Sequence, residues 1–207
     1  MRHLLPILGG ILILSSTALR GQEFRFGIHA TPHLSFLSTD MPEAKTGSKL
    51  LFGYGGLAEF RFAENYAITS GFEIIRRGAS LTLNDTTGDI TPSYLQVPIL
   101  LKMRTREFGY FTFFGEFGGT LAFRTSHNMD YEPSLASVPQ TQRVNLFNAT
   151  FRFGLGVEYS FGGRTSVMLG LNYNRSLIDN LDRRAYGVSN QYNYRLDYVA
   201  LTTGVIF

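Results

Sequence analysis

The sequence predicts an all-β fold: an eight-stranded antiparallel up-and-down transmembrane β-barrel, preceded by a cleavable signal peptide. Three observations carry this prediction. Eight segments alternate apolar and polar residues with period two. The connections between them run long, short, long, short, long, short, long. The composition, with 44% hydrophobic and only 17% charged residues, is too poor in charge for a wholly water-facing surface.

The start of the chain reads as an export signal. Arg2 is followed by an apolar run from Leu4 to Leu14, then by Ser15, Ser16 and Thr17. The run is too short to span a bilayer as a helix and has the length of a secretory h-region. Cleavage is expected after Ala18 or Gly21, with Gly21 preferred. The chain then divides into a signal peptide, 1–21, and an outer-membrane β-barrel domain, 22–207. With no Cys there is no disulfide, no Cys-based metal site and no lipoprotein anchor. The formal net charge of +3 is mild and no basic helix is visible, so nucleic acid is not an expected partner.

The strands are expected over 24–36, 51–62, 66–76, 94–104, 110–124, 147–161, 165–175 and 192–207. In the sixth, Phe147, Phe151, Phe153, Leu155, Val157, Tyr159 and Phe161 share one parity, opposite Arg152 and Glu158. Measured by alternation these segments reach or exceed the ~9–11 residues that a tilted membrane strand needs. The short connections fall at 63–65, 105–109 and 162–164. The long ones fall at 37–50, 78–93, 125–146 and 176–191. Short periplasmic turns and long outer loops are the hallmark of membrane barrels. An even strand number places both ends in the periplasm.

The greasy parity is expected to face lipid. Tyr66, Phe111, Tyr159, Phe161, Tyr173 and Tyr192 suit interfacial girdles. The polar parity fills the lumen, which in an eight-stranded barrel is just wide enough for side chains. The expected interior charge network is Arg25, Arg61, Lys102 and Arg152 with Glu59, Glu73, Glu116 and Glu158. Opposite signs in equal number fit an enclosed site, because unpaired buried charge is costly. A one-residue slip would put those charges into hydrocarbon. The C-terminal Phe207, closing an alternating last strand, resembles the assembly signal of bacterial outer-membrane barrels and implies recognition by the outer-membrane insertion machinery.

Tyr94–Lys102, YLQVPILLK, resembles a segment of the PorT-like outer-membrane β-barrel family of Bacteroidetes. FGEFGGTLAF (114–123) and RFGLGVEYSF (152–161) are similar to its Gly-aromatic strands. The resemblance implies a Gram-negative outer-membrane protein, with some members associated with protein secretion, and it carries no catalytic motif. Pro98 cannot donate to a ladder, so a bulge or bend is expected there.

No catalytic residue, cofactor or metal site is expected. His29 and His33 share a strand face but lie about 13 Å apart, too far to share a metal. His33-Leu34-Ser35 resembles the His-x-Ser of outer-membrane lipid A deacylases. There the pair lies late in the chain and faces the membrane; here it sits on the first strand, on the polar parity. NDTTGD, 84–89, has carboxylates and Gly but not the ligand spacing of a calcium loop. The expected function is a structural or interaction role: long outer loops contacting an envelope protein partner, with lipid around the wall. A lipid A deacylase-like enzyme and a small-solute channel are the alternatives.

Overall fold

The computed structural model describes residues 23–39, 45–83, 86–131, 145–178 and 194–207. The expected signal peptide, 1–21, and Tyr192 lie outside them. The strands are β1 (Glu23–Thr39), β2 (Lys45–Ala63), β3 (Tyr66–Arg76), β4 (Ala79–Leu83), β5 (Thr86–Arg104), β6 (Phe111–Tyr131), β7 (Phe147–Ser160), β8 (Ser166–Ser176) and β9 (Tyr194–Ile206). They form one antiparallel sheet in the order β1-β2-β3-β5-β6-β7-β8-β9, and β9 pairs back onto β1. The short β4 prolongs β3 beyond Arg77 and Gly78 and pairs with β2 and β5. The barrel therefore has eight staves, one of them interrupted.

Closure is completed at the C-terminus. The Phe207 N–H donates to the Phe26 carbonyl at 2.7 Å, and the Phe26 N–H donates back to Phe207 at 3.3 Å. Phe207 itself stands exposed on the outer face.

The period-two pattern sorts the side chains. On β1, Arg25, Thr31, His33 and Ser35 are buried, while Phe24, Phe26, Ile28 and Leu34 are exposed. The same sorting holds on β7, where Asn148, Thr150, Arg152 and Glu158 point inward and Phe151, Phe153 and Leu155 outward. Aromatic pairs gather at the short-turn end: Phe111 with Tyr159 at 5.1 Å, Tyr159 with Phe161 at 5.2 Å and Phe62 with Tyr66 at 6.3 Å. Phe123 and Phe147, 5.5 Å apart, mark the other edge of the apolar band. Such girdles anchor a barrel at the two membrane interfaces.

The long connections are shorter than alternation suggests. β1 runs to Thr39 and β2 starts at Lys45. Most of 78–93 is ladder: β4 pairs with β5 from Ala79↔Ile90 to Leu83↔Thr86. The last four residues of NDTTGD thus belong to β5. β6 continues to Tyr131, with Asp89↔Asp130 in register. Above the membrane both faces of a hairpin meet water, so pairing persists while the apolar–polar contrast that reveals a strand fades.

Pro98 produces no register shift. The β3–β5 ladder skips Gly71 and Phe72 opposite Val97 and Pro98, then resumes in step. Ser70 Oγ donates to the Pro98 carbonyl at 2.9 Å. The bulge in β5–β6 falls instead at Ser93/Tyr94.

An Arg at a lipid-facing position costs about 2–4 kcal/mol at the midplane and about 0–1 near the interface. Phe153→Arg, in the middle of β7, is therefore expected to impair folding into lipid vesicles far more than Phe161→Arg at the girdle. Heat-modifiability on gels and urea titration of the refolded variants check this.

Candidate functional site: a lumen closed by two charge networks

The lumen contains two layers of buried ionic side chains. The layer nearer the short turns centres on Glu59 (β2) and Glu158 (β7). Lys102 (β5) bridges them, donating to Glu59 at 2.7 Å and to Glu158. Arg25 donates to Glu158 at 3.1 Å and to Ser166 Oγ at 2.8 Å, and lies 3.5 Å from Glu59. Arg104 donates to Glu158 at 2.8 Å. One carboxylate thus receives three cations from two walls of the barrel.

Below Lys102 lies an apolar floor. Its ammonium sits 4.4 Å from the Phe114 ring centroid, and Phe114 packs with Leu57, Met168 and Ile206. The ring occupies space that Gly156 leaves open, since a Cβ there would strike it.

The second layer lies toward the long hairpins. Arg152 (β7) donates to Glu73 (β3) and to Asn174 (β8), both at 2.8 Å. His29 Nε2 lies 3.8 Å from Glu73. Beyond them Arg77, fully buried, sits over the rings of Tyr94 and Tyr198 at 5.1 and 5.0 Å. With the Gln96 amide oxygen turned toward it, Arg77 Nε donates to Gln96 at 2.9 Å, and the Gln96 amide nitrogen donates to Tyr198 Oη at 3.3 Å.

Six of the eight charges expected in the lumen are buried there: Arg25, Glu59, Glu73, Lys102, Arg152 and Glu158. Arg61 occupies the rim, donating to Glu23 at 2.8 Å and to Glu59 at 3.1 Å. Glu116 is half-buried and forms no ion pair among the described residues, though it is close enough to Arg152 to act on it electrostatically. Arg77 and Arg104 belong to the lumen but stand at strand ends, where alternation assigns parity poorly. Gln96 shares the polar parity of its strand with Lys102 but, like Tyr94 and Tyr198, carries no formal charge to mark it as part of the network.

His33 and Ser35 also point inward. His33 Nδ1 lies 2.9 Å from the Thr31 carbonyl and Nε2 2.7 Å from the Arg76 carbonyl. Ser35 Oγ accepts from the Gly78 N–H at 3.1 Å. Both side chains thus serve the backbone. Among the described residues no group of His, Asp and Glu side chains has the arrangement of a metal site.

A closed barrel with an apolar outer belt, aromatic girdles and a polar, side-chain-filled lumen defines a small integral outer-membrane β-barrel protein. A family model described as "Outer membrane protein beta-barrel domain" matches residues 17–182, and the chain belongs to that family. Comparison with curated proteins finds no match. The barrel is similar to the outer membrane protein OprG from Pseudomonas aeruginosa, with TM-score 0.60, 16% identity and coverage of 90% of this chain and 96% of that one. It is also similar to Neisserial surface protein A, with TM-score 0.53, 12% identity and coverage of 90% and 98%. At these identities the likeness is one of fold.

Removing one partner of a buried ion pair costs about 3–5 kcal/mol, whereas an exposed pair contributes about 0–1. Glu158→Gln leaves Arg25, Lys102 and Arg104 to share the single carboxylate of Glu59 and is expected to lower unfolding stability in lipid by the larger amount. Glu23→Gln at the rim is expected to fall within the smaller. Combining Glu158→Gln with Lys102→Met should cost less than the sum of the two single changes, read by urea titration in vesicles.

Proposed function

We propose that this protein is a non-conducting outer-membrane barrel that acts as a rigid membrane platform, presenting the hairpins at its far end to an envelope protein partner. The observation that carries this reading is the lumen. Two ionic layers join opposite walls, through Arg25–Glu158 between β1 and β7 and Arg152–Glu73 between β7 and β3. Every solute on a central path would have to part buried, ion-paired charges. What can vary freely is the far rim, where β5 and β6 extend in register to Gly88↔Tyr131. The resemblance of YLQVPILLK and the Gly-aromatic strands to PorT-like barrels points to a Bacteroidetes-type member and to protein secretion machinery as the class of partner.

The reading includes no enzymatic activity. The His33–Ser35 pair, which resembles a deacylase motif, is engaged with the Arg76 carbonyl and the Gly78 N–H. Each residue has a structural task that explains its presence.

Purified protein in planar bilayers is expected to show no stable conductance above background. Large, long-lived channels would overturn the platform reading. A protease-accessible tag beside Asn128, at the far end of β6, should be cleaved on intact cells, and one beside Gly109, in a short turn, should be protected. Incubation with lipid A should release no acyl chain, in the native protein and in Ser35→Ala alike.

A further inference from the structure

The barrel wall is not uniformly closed. The β2–β3 ladder ends at Gly53↔Ile75, and the β2–β4 ladder begins at Ser48↔Ala79, one residue out of step. Leu50 to Phe52 therefore have no ladder partner in β3 or β4. The opposite side of the same stave is intact: Arg76↔Ser93 and Ala79↔Ile90 keep one register, and the Arg77 N–H donates to the Pro92 carbonyl at 3.0 Å. The chain at 76–78 has moved away from β2 while staying attached to β5. Residues of β1 hold it there. His33 reaches the Arg76 carbonyl, and Ser35 receives the Gly78 N–H. In a lipid-facing wall, backbone groups without partners are costly, and these two side chains replace the missing ladder from within.

The result is a fissure in the outer surface. A cavity of about 820 Å³ opens there, bounded by Pro32, Leu50, Phe52, Tyr54 and Ile74, with Arg76 at its edge. That volume lies in the range of small-molecule sites, about 300–1,000 Å³. The outward-parity members of its lining continue the lipid-facing band, with Leu50 78% exposed, Tyr54 54% and Phe52 53%, while Leu51, on the inward parity, also lines it. Arg76 is exposed and forms no ion pair among the described residues. Ser93 and Ser126 line the same cavity. All of this lies toward the long hairpins, which in barrels of this class is the outward end.

We propose that this fissure is a binding site for one anionic membrane lipid, its acyl chain in the groove and its phosphate on Arg76. Three features select this occupant. The groove is continuous with the surface that the bilayer already covers, so the ligand arrives laterally as a lipid. The walls are apolar and offer an acyl chain more contact than the flat neighbouring wall. The cation stands two residues nearer the long hairpins than Ile74, level with Ser93, and a guanidinium recognises phosphate bidentately. The proposal does not depend on the platform reading, since a wall site is compatible with a closed or an open lumen.

The absence of Trp from the chain makes a clean test available. Full-length protein carrying Leu50→Trp or Phe52→Trp is refolded into phosphatidylcholine vesicles containing a fixed fraction of lipid with brominated chains, either phosphatidylglycerol or phosphatidylcholine. Phe147→Trp, on the lipid face across the barrel, is the reference. The ratio of quenching by the two brominated lipids is read at each position, which cancels differences in depth. At the fissure the ratio should exceed the reference by about threefold, the scale of an exposed charge-assisted contact, and Arg76→Gln should return it to the reference value. Heat-modifiability selects folded variants. Equal ratios at the fissure and at Phe147, or a ratio unchanged by Arg76→Gln in both reporters, would overturn the site. Conductance measurements do not bear on it, so its failure is distinguishable from failure of the platform reading.

Discussion

A chain that crosses hydrocarbon as strands must give every backbone N–H and C=O a partner within the protein. The rest of this structure depends on that constraint. It requires the sheet to close, and closure reaches the last residue, where Phe207 and Phe26 exchange backbone hydrogen bonds. It also governs the imperfections. Where Pro98 interrupts the β3–β5 ladder, Ser70 supplies a hydroxyl to its carbonyl. Where β3 parts from β2, His33 and Ser35 supply a ring nitrogen and an oxygen. These polar side chains take over backbone tasks, which explains why they lie inside a wall otherwise built from ladders.

Closure with eight staves fixes a narrow interior, and the filling has its own logic. An apolar interior would pack, but it would leave both strand faces greasy and the register unspecified. A charged interior makes the two faces unequal. Slipping β7 by one residue would expose Arg152 and Glu158 to lipid and bury Phe151 and Phe153. The ionic layers contribute orientation more clearly than stability, since a buried pair recovers its desolvation only with good geometry and further hydrogen bonds. The first layer has that geometry: Glu158 is met by Arg25, Lys102 and Arg104 together. Gly156 admits the Phe114 ring beneath Lys102, so the apolar floor and the charge above it are fitted as one unit.

The architecture was legible in the sequence because lipid and lumen impose opposite demands on alternate residues. Phe24, Phe26 and Ile28 against Arg25 suffice to orient β1. The legibility stops where that contrast stops. Residues 79–83 and 86–93 are paired strands, yet they read as a loop because no apolar medium surrounds them. Arg76 and Arg77 read as a strand end, although one is exposed and the other is fully buried over two tyrosine rings. Glu116 has the right parity but no ion pair among the described residues, because parity gives a direction and not a distance. The fissure had no sequence signature, since it arises from a one-residue mismatch between two ladders on the same stave.

That mismatch brings the inner and outer faces into contact through a single peptide unit. The Arg76 side chain stands outside, beside Ser93. Its carbonyl is bound from inside by His33, whose ring packs 5.1 Å from the ring of Tyr198. Tyr198 in turn lies beneath Arg77 and 3.4 Å from Arg152. The upper charge layer therefore does more than fill space: it buttresses the backbone where β3 has parted from β2. An intact barrel of this size has little need for His33 or Ser35 at these positions. A barrel that keeps a fissure open toward the membrane needs both, and it needs a rigid interior for them to be anchored against.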